Sequence, residues 1–258
     1  MTSEPTHDHV CLAYDDPATL QAYAQAFLTA GVAAGQRVWY VGPDGPPPGT
    51  GARHVRLDSA YSEGAAVDPQ EQAAVFLRAF GEALDEGFTG LRVVADVTPL
   101  VRTAEQRDAF CRYEHLIDRY MAVHRLSGMC AFRRDVFDED ELAELACLHP
   151  TTTNLTVPFR LHACRPELGR ATLAGELDMT TAGLLRTTMD RAGLRPAYGG
   201  DVVLNAAGLR FLDHRTLIRL DRWAADNRTT LVLRSANDTV ARLAALLEPA
   251  RLRVEVAP

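Results

Sequence analysis

The 258-residue sequence contains no lysine. All 27 basic side chains are arginine, set against 34 acids for a formal net charge of −7. Lysine chemistry is therefore excluded: no Schiff base can form, and no lysine can reach a β- or γ-phosphate. No basic block occurs, so neither nucleic acid nor an anionic membrane is an expected partner. No apolar run approaches the roughly 18 residues of a spanning helix. The opening "MTSEPTHDHV" lacks the basic and apolar regions of a secretory leader. The five cysteines (Cys11, Cys111, Cys130, Cys147 and Cys164) are odd in number, widely spaced and without a CxxC pair. That argues against a disulfide framework or a zinc finger and for a reducing cytoplasm. No HxxxH or HExxH pair occurs, so no metal and no cofactor is expected.

What is present is a globular pattern. Apolar residues make up 47%, enough to bury a core without staples, and the length suits one large or two ordinary domains. "HVCLAY" (His9 to Tyr14) reads as a buried strand. Asp16 and Pro17 then give an N-cap and a first-turn proline, and Leu20, Ala24, Phe27, Leu28 and Gly31 follow at helical spacing until Gly35. "RVWYVG", "HVRLD" (His54 to Asp58), "LRVVAD" (Leu91 to Asp96) and "MCAF" (Met129 to Phe132) read as further strands. Helices are expected around Ala73 to Leu84, over Ala104 to His124, and from the acidic "DEDE" (Asp138 to Glu141) to about His149. Alternation of this kind implies a doubly wound parallel sheet. "TTTNLTVP" (Thr151 to Pro158) interrupts it and reads as a linker, with domains over 1–152 and 159–258 and the connection at 153–158. The second part reads as a hairpin ("FRLHAC", "RATLAGEL") followed by alternating helices and strands.

Residues 45–54, "GPPPGTGARH", come within two letters of a phosphate-binding loop. Such a loop needs lysine on the phosphates and a hydroxyl on Mg²⁺. Here Ala52 and Arg53 hold those places, and three prolines (Pro46, Pro47 and Pro48) remove backbone donors. A turn is the expected structure.

Two resemblances add to this reading. "HDHVCLAYDD", "FLTAGVAAGQRVWYV", "LRVVADVTPLVR", Tyr113–Glu114, "MCAFRRDVF" and "LHP" (Leu148 to Pro150) resemble the MEDS sensory domain. The same half is distantly similar to RecA/KaiC-like ATPases, but "HVCLAYDDPATL" places Asp15 and Asp16 where their phosphate loop would sit. Acids at that helix start repel phosphate. "LAGELDMTTAGLLRTTM", "VVLNAAGLRFLDHRTLIRLDRWA" and "LVLRSANDTVARLAALL" resemble the STAS domain of anti-sigma-factor antagonists, over roughly Phe159 to Val256. That family presents a phosphorylatable serine at the start of a helix. The matching positions here are Asp213, His214, Arg215 and Thr216, and Asn205 replaces a usual aspartate. The resemblance implies a partner-docking surface at these four residues without the serine switch.

Candidate ligand-binding residues of the first half are His9, Cys11, Asp96, Glu114, Cys130 and His149. Glu114 borders the apolar face of its helix, and His149 lies on the stripe of Leu142, Leu145 and Ala146. Asp96 ends a strand, where open α/β sheets commonly bind ligands. The expected protein is a non-enzymatic cytoplasmic regulator with an N-terminal RecA/KaiC-like sheet and a C-terminal STAS domain. It senses a small molecule or partner and engages an anti-sigma-factor-like or other regulatory protein, with homo-oligomers open. The alternatives are a degenerate nucleotide-binding enzyme and a constitutive scaffold.

Overall fold

The computed structural model describes residues 8–61, 66–194 and 200–256. Residues 1–7, which include most of the stretch read above for a leader, lie outside the described residues. The chain divides into two compact units, Met1–Thr156 and Val157–Pro258.

Unit 1 runs β1 (His9–Tyr14), α1 (Pro17–Ala33), β2 (Arg37–Val41), β3 (Arg53–Val55), α2 (Leu57–Ala60), α3 (Pro69–Asp85), β4 (Leu91–Asp96), α4 (Ala104–Met121), β5 (Leu126–Arg133), α5 (Glu139–Ala146) and β6 (Thr151–Thr153). The six strands are ordered β3-β2-β4-β5-β1-β6, and every pairing is parallel. The Asp16 carboxylate caps α1 by accepting from the Thr19 N–H, Pro17 opens the helix, and Gly35 follows its end at a φ of 72°. On one face of the sheet, Leu20, Ala24 and Leu28 of α1 pack with Leu12, Tyr14, Val38, Tyr40, Val94, Met129 and Ala131. Gly31 lets the helix lie close: a Cβ there would meet Val38 Cγ1 at 2.8 Å. Side-chain alternation turns His9, Cys11, Ala95 and Cys130 to the opposite face. There the rings of Phe110 and Tyr113 of α4, Phe76 of α3 and Phe132 of β5 meet.

Three expectations are corrected. "HVRLD" is a strand only to Val55; the chain then turns into the short α2. The long helix stops at Met121 and α5 at Ala146, so His149 lies in a turn beyond its helix. Thr151–Thr153, read as linker, is β6, paired with Val10, Cys11 and Leu12 of β1. The turn expected for "GPPPGTGARH" is present, leading into β3 with Gly49 and Gly51 at positive φ.

Unit 2 runs β7 (Phe159–His162), β8 (Ala171–Leu177), α6 (Ala182–Arg191), β9 (Asp201–Asn205), β10 (Leu209–Leu212), α7 (His214–Asp226), β11 (Thr230–Ser235), α8 (Asp238–Leu247) and β12 (Leu252–Val256). The path is β10-β8-β9-β11-β12, with β7 antiparallel to β8 and the other pairings parallel. Thr172 pairs with His162 and Asn205, and Gly175 with Phe159 and Leu209. Thus β7 lies along one edge of β8 while β9 and β10 follow each other along the other. The four residues of β10 are a strand that periodicity missed. Gly175, at a φ of 109°, sits where strands press from both sides; a Cβ would meet the Pro158 carbonyl oxygen at 2.4 Å.

Candidate functional site

Five of the six candidate residues of unit 1 share the α4 face of the sheet. His9 opens β1, in register with Gly128 of β5; Cys11 is in register with Cys130. Gly128 leaves room for Met121 of α4, whose Cε would lie 2.8 Å from a Cβ there, beside the His9 ring. Glu114 comes down from α4, and His149 arrives from the turn after α5.

The imidazole of His9 is fully buried and bridges two carboxylates of α4. Nδ1 lies 2.8 Å from Asp118 Oδ1, and Nε2 lies 2.9 Å from Glu114 Oε2. Both ring nitrogens therefore donate, and the ring is an imidazolium. Burial works against that charge, but Asp118 and Glu114 outweigh it and raise the pKa to about 10. Burial likewise pushes the Glu114 carboxyl up, but the His9 imidazolium beside it holds it below the ordinary carboxylate value. The Cys130 thiol donates to the same Glu114 oxygen at 3.3 Å; burial, then Glu114, raises its pKa well above the ordinary value. His149 stacks on His9 with ring centroids 4.2 Å apart. Its Nδ1 is 2.9 Å from the Leu145 carbonyl, which can only accept, so Nδ1 carries the proton. Burial and then the charge on His9 lower the His149 pKa, leaving Nε2 as a lone pair. That lone pair lies 3.2 Å from Glu114 Oε2 but outside hydrogen-bond alignment. Among the described residues it finds no hydrogen-bond partner.

Asp96 belongs elsewhere. It accepts from the Tyr14 hydroxyl at 2.9 Å and the Thr98 hydroxyl at 2.7 Å on the α1 side of the sheet. Sequence reasoning missed Asp118, which completes the bridge; its signal was the four-residue spacing from Glu114, one helical turn. It also missed Tyr61 and Tyr113, which with Phe76, Glu114 and Cys130 line a cavity of about 20 Å³, room for a single water. Burial raises both phenol pKa values, so these rings stay neutral.

In unit 2 the Asp213 carboxylate caps α7, accepting from the Thr216 N–H at 2.7 Å. His214 and Arg215 are exposed, and Arg215 touches Met179. Thr216 is fully buried, so of the four candidate docking residues only Asp213, His214 and Arg215 reach the surface. Asn205 donates to the Thr172 hydroxyl and accepts from the Ala207 N–H, tying β9 to β8 and to the turn before β10.

A family model, the MEthanogen/methylotroph, DcmR Sensory domain, matches residues 8–150. The chain belongs to the MEDS family. The matched span is nearly all of unit 1 and holds the whole His9–Glu114–Asp118–Cys130–His149 cluster of this MEDS domain. The match supports a sensory, signalling role. No curated protein and no solved structure matches the chain. No described helix is long and apolar enough to cross a membrane.

Proposed function

We propose that this chain is a non-enzymatic signalling regulator in which the MEDS unit senses a ligand at the His9–Glu114 cluster and the second unit switches a protein partner. The observation that carries it is the buried charged cluster inside a sensory domain. Ionised side chains at 0 to 1% exposure are costly to keep, and such strongly perturbed buried groups cluster at functional sites. We read unit 1 as a RecA/KaiC-like sheet without a phosphate loop. Its all-parallel order, and a helix start capped by Asp16 where phosphate would otherwise bind, support that reading. We read unit 2 as STAS-like, supported by its antiparallel opening hairpin and by α7 beginning at Asp213 to Arg215. The switch works by population shift: the ligand binds two states of the chain with different affinity.

The test uses the full chain with candidate anti-sigma-factor-type partners. Arg215→Glu reverses a charge on the exposed helix start and should weaken partner binding at least tenfold without changing stability. Glu114→Gln should leave docking intact but abolish its dependence on ligand. If Arg215→Glu binds like wild type, α7 is not the docking face. Hydrolysis of ATP by the wild-type chain would favour the degenerate-enzyme reading instead.

A further inference from the structure

The geometry points to a binding site for one divalent transition ion of the zinc type, formed by His9 Nε2, Glu114 Oε2, Cys130 Sγ and His149 Nε2. The four atoms all lie within 4.8 Å of one another. Individual separations are 2.9 Å from His9 to Glu114, 3.2 Å from His149 to Glu114, 3.3 Å from Cys130 to Glu114 and 3.9 Å from Cys130 to His9. Tetrahedral zinc, with bonds of about 2.0–2.3 Å, separates its ligands by roughly 3.3–3.8 Å. The observed separations bracket that range, so sub-ångström side-chain shifts would close the shell.

The surroundings match a metal shell as well. Each histidine has its Nδ1 tied outward, His9 to the Asp118 carboxylate and His149 to the Leu145 carbonyl. Each therefore aims Nε2 inward, as an acceptor on the far ring nitrogen does for metal-ligating imidazoles. The bare Nε2 of His149 is the decisive atom. In the metal-free protein its lone pair faces a carboxylate oxygen with no hydrogen between them, a repulsive contact at 0% exposure. A cation between the two converts that repulsion into two bonds. The donor set of two nitrogens, one sulfur and one oxygen suits zinc or a neighbouring transition ion; Ca²⁺ and Mg²⁺ require a shell of oxygens. His9 and Cys130 release their protons as they ligate, as metal-binding imidazole and thiol groups must. Four protein ligands close the shell, so the ion would organise the sensory unit and need not act as a catalyst. This inference stands on the four side chains alone and is independent of whether unit 2 switches partners.

Full-length protein stripped of metal by chelator is titrated with Zn²⁺, and with Co²⁺ as a spectroscopic probe. One ion per chain is expected. Co²⁺ should show tetrahedral d–d bands and a thiolate charge-transfer band, both lost when Zn²⁺ displaces it. Cys130→Ser should delete the thiolate band, and His149→Gln should lower Zn²⁺ affinity at least tenfold. Cys164→Ser, in the other unit, should change neither. Absence of stoichiometric binding, or a thiolate band that survives Cys130→Ser, overturns the proposal. If the cluster variants fail to fold, X-ray absorption on the zinc-loaded wild type decides. One sulfur per zinc supports the site, and a shell of nitrogen and oxygen only refutes it.

Discussion

Replacing His9 with glutamine removes the cation that bridges Glu114 and Asp118. Both carboxylates are buried, at 1% and 0% exposure, and neither can move to water without unpacking α4 from the sheet. Breaking a buried pair in this way costs about 3–5 kcal/mol. A second route gives a similar size. One carboxyl can stay buried by taking a proton, and at pH 7 protonating a group of ordinary pKa costs about 4 kcal/mol, at about 1.4 kcal/mol per pH unit. At pH 5 the same protonation costs only about 1 kcal/mol. The sign follows: the carboxyl pKa of the folded variant lies above its unfolded value, the folded state binds the extra proton, and stability rises as pH falls. His9→Gln should therefore lie about 4 kcal/mol below wild type at pH 7, about 10 °C in melting temperature, and recover most of that by pH 5. The triple variant His9→Gln, Glu114→Gln, Asp118→Asn, with no charge left to bury, should be more stable at pH 7 than the single one. The measurement is unfolding in chelator by tryptophan fluorescence in a Trp223→Phe background, so that Trp39 reports unit 1 alone. A single variant within 1 kcal/mol of wild type, or a deficit that does not shrink between pH 7 and pH 5, would refute the reasoning.

Metal-free wild type should show a slope of the same sign, displaced to the alkaline side. His9 is raised from 6.5 to about 10, so its contribution is complete below pH 6.5 and is lost as pH rises towards 10. Denaturation midpoints of unit 1 should fall across that window, and a flat profile would mean that His9 is not an imidazolium. In unit 2, Gly175→Ala puts a methyl against the Pro158 carbonyl at a φ closed to L side chains, and should cost about 2 kcal/mol or more by denaturant unfolding.

The elements with strong periodicity and explicit punctuation were legible: β1, α1 with its Asp16–Pro17 start, β2, β4 and the two capping-box helices α4 and α5. The short edge pieces were not. β6 is three threonines and β10 is "LRFL", with too few residues for a period, and only pairing with β1 and β8 makes them strands. Of the buried cluster, His9, Glu114, Cys130 and His149 were singled out in the sequence, but Asp118 was not, and neither was their assembly. His9 and Glu114 are 105 positions apart, and the packing of α4 on the sheet, which no spacing encodes, brings them together. Asp96 was grouped with the others because strand ends attract ligands. Strand alternation argues against it: Ala95 is in register with Cys130, so Asp96 points to the other face.

The position of His149 has a mechanical side. It stands two residues before β6, and the second unit begins at Val157, eight positions on. β6 is a three-residue edge strand paired with β1, the strand that begins with His9. The two stacked histidines thus anchor the ends of two neighbouring strands, and the outer of these is the tether to the rest of the molecule. A displacement of one imidazole from the other therefore bears on a three-residue seam at the edge of the sheet, one of its two shortest pairings.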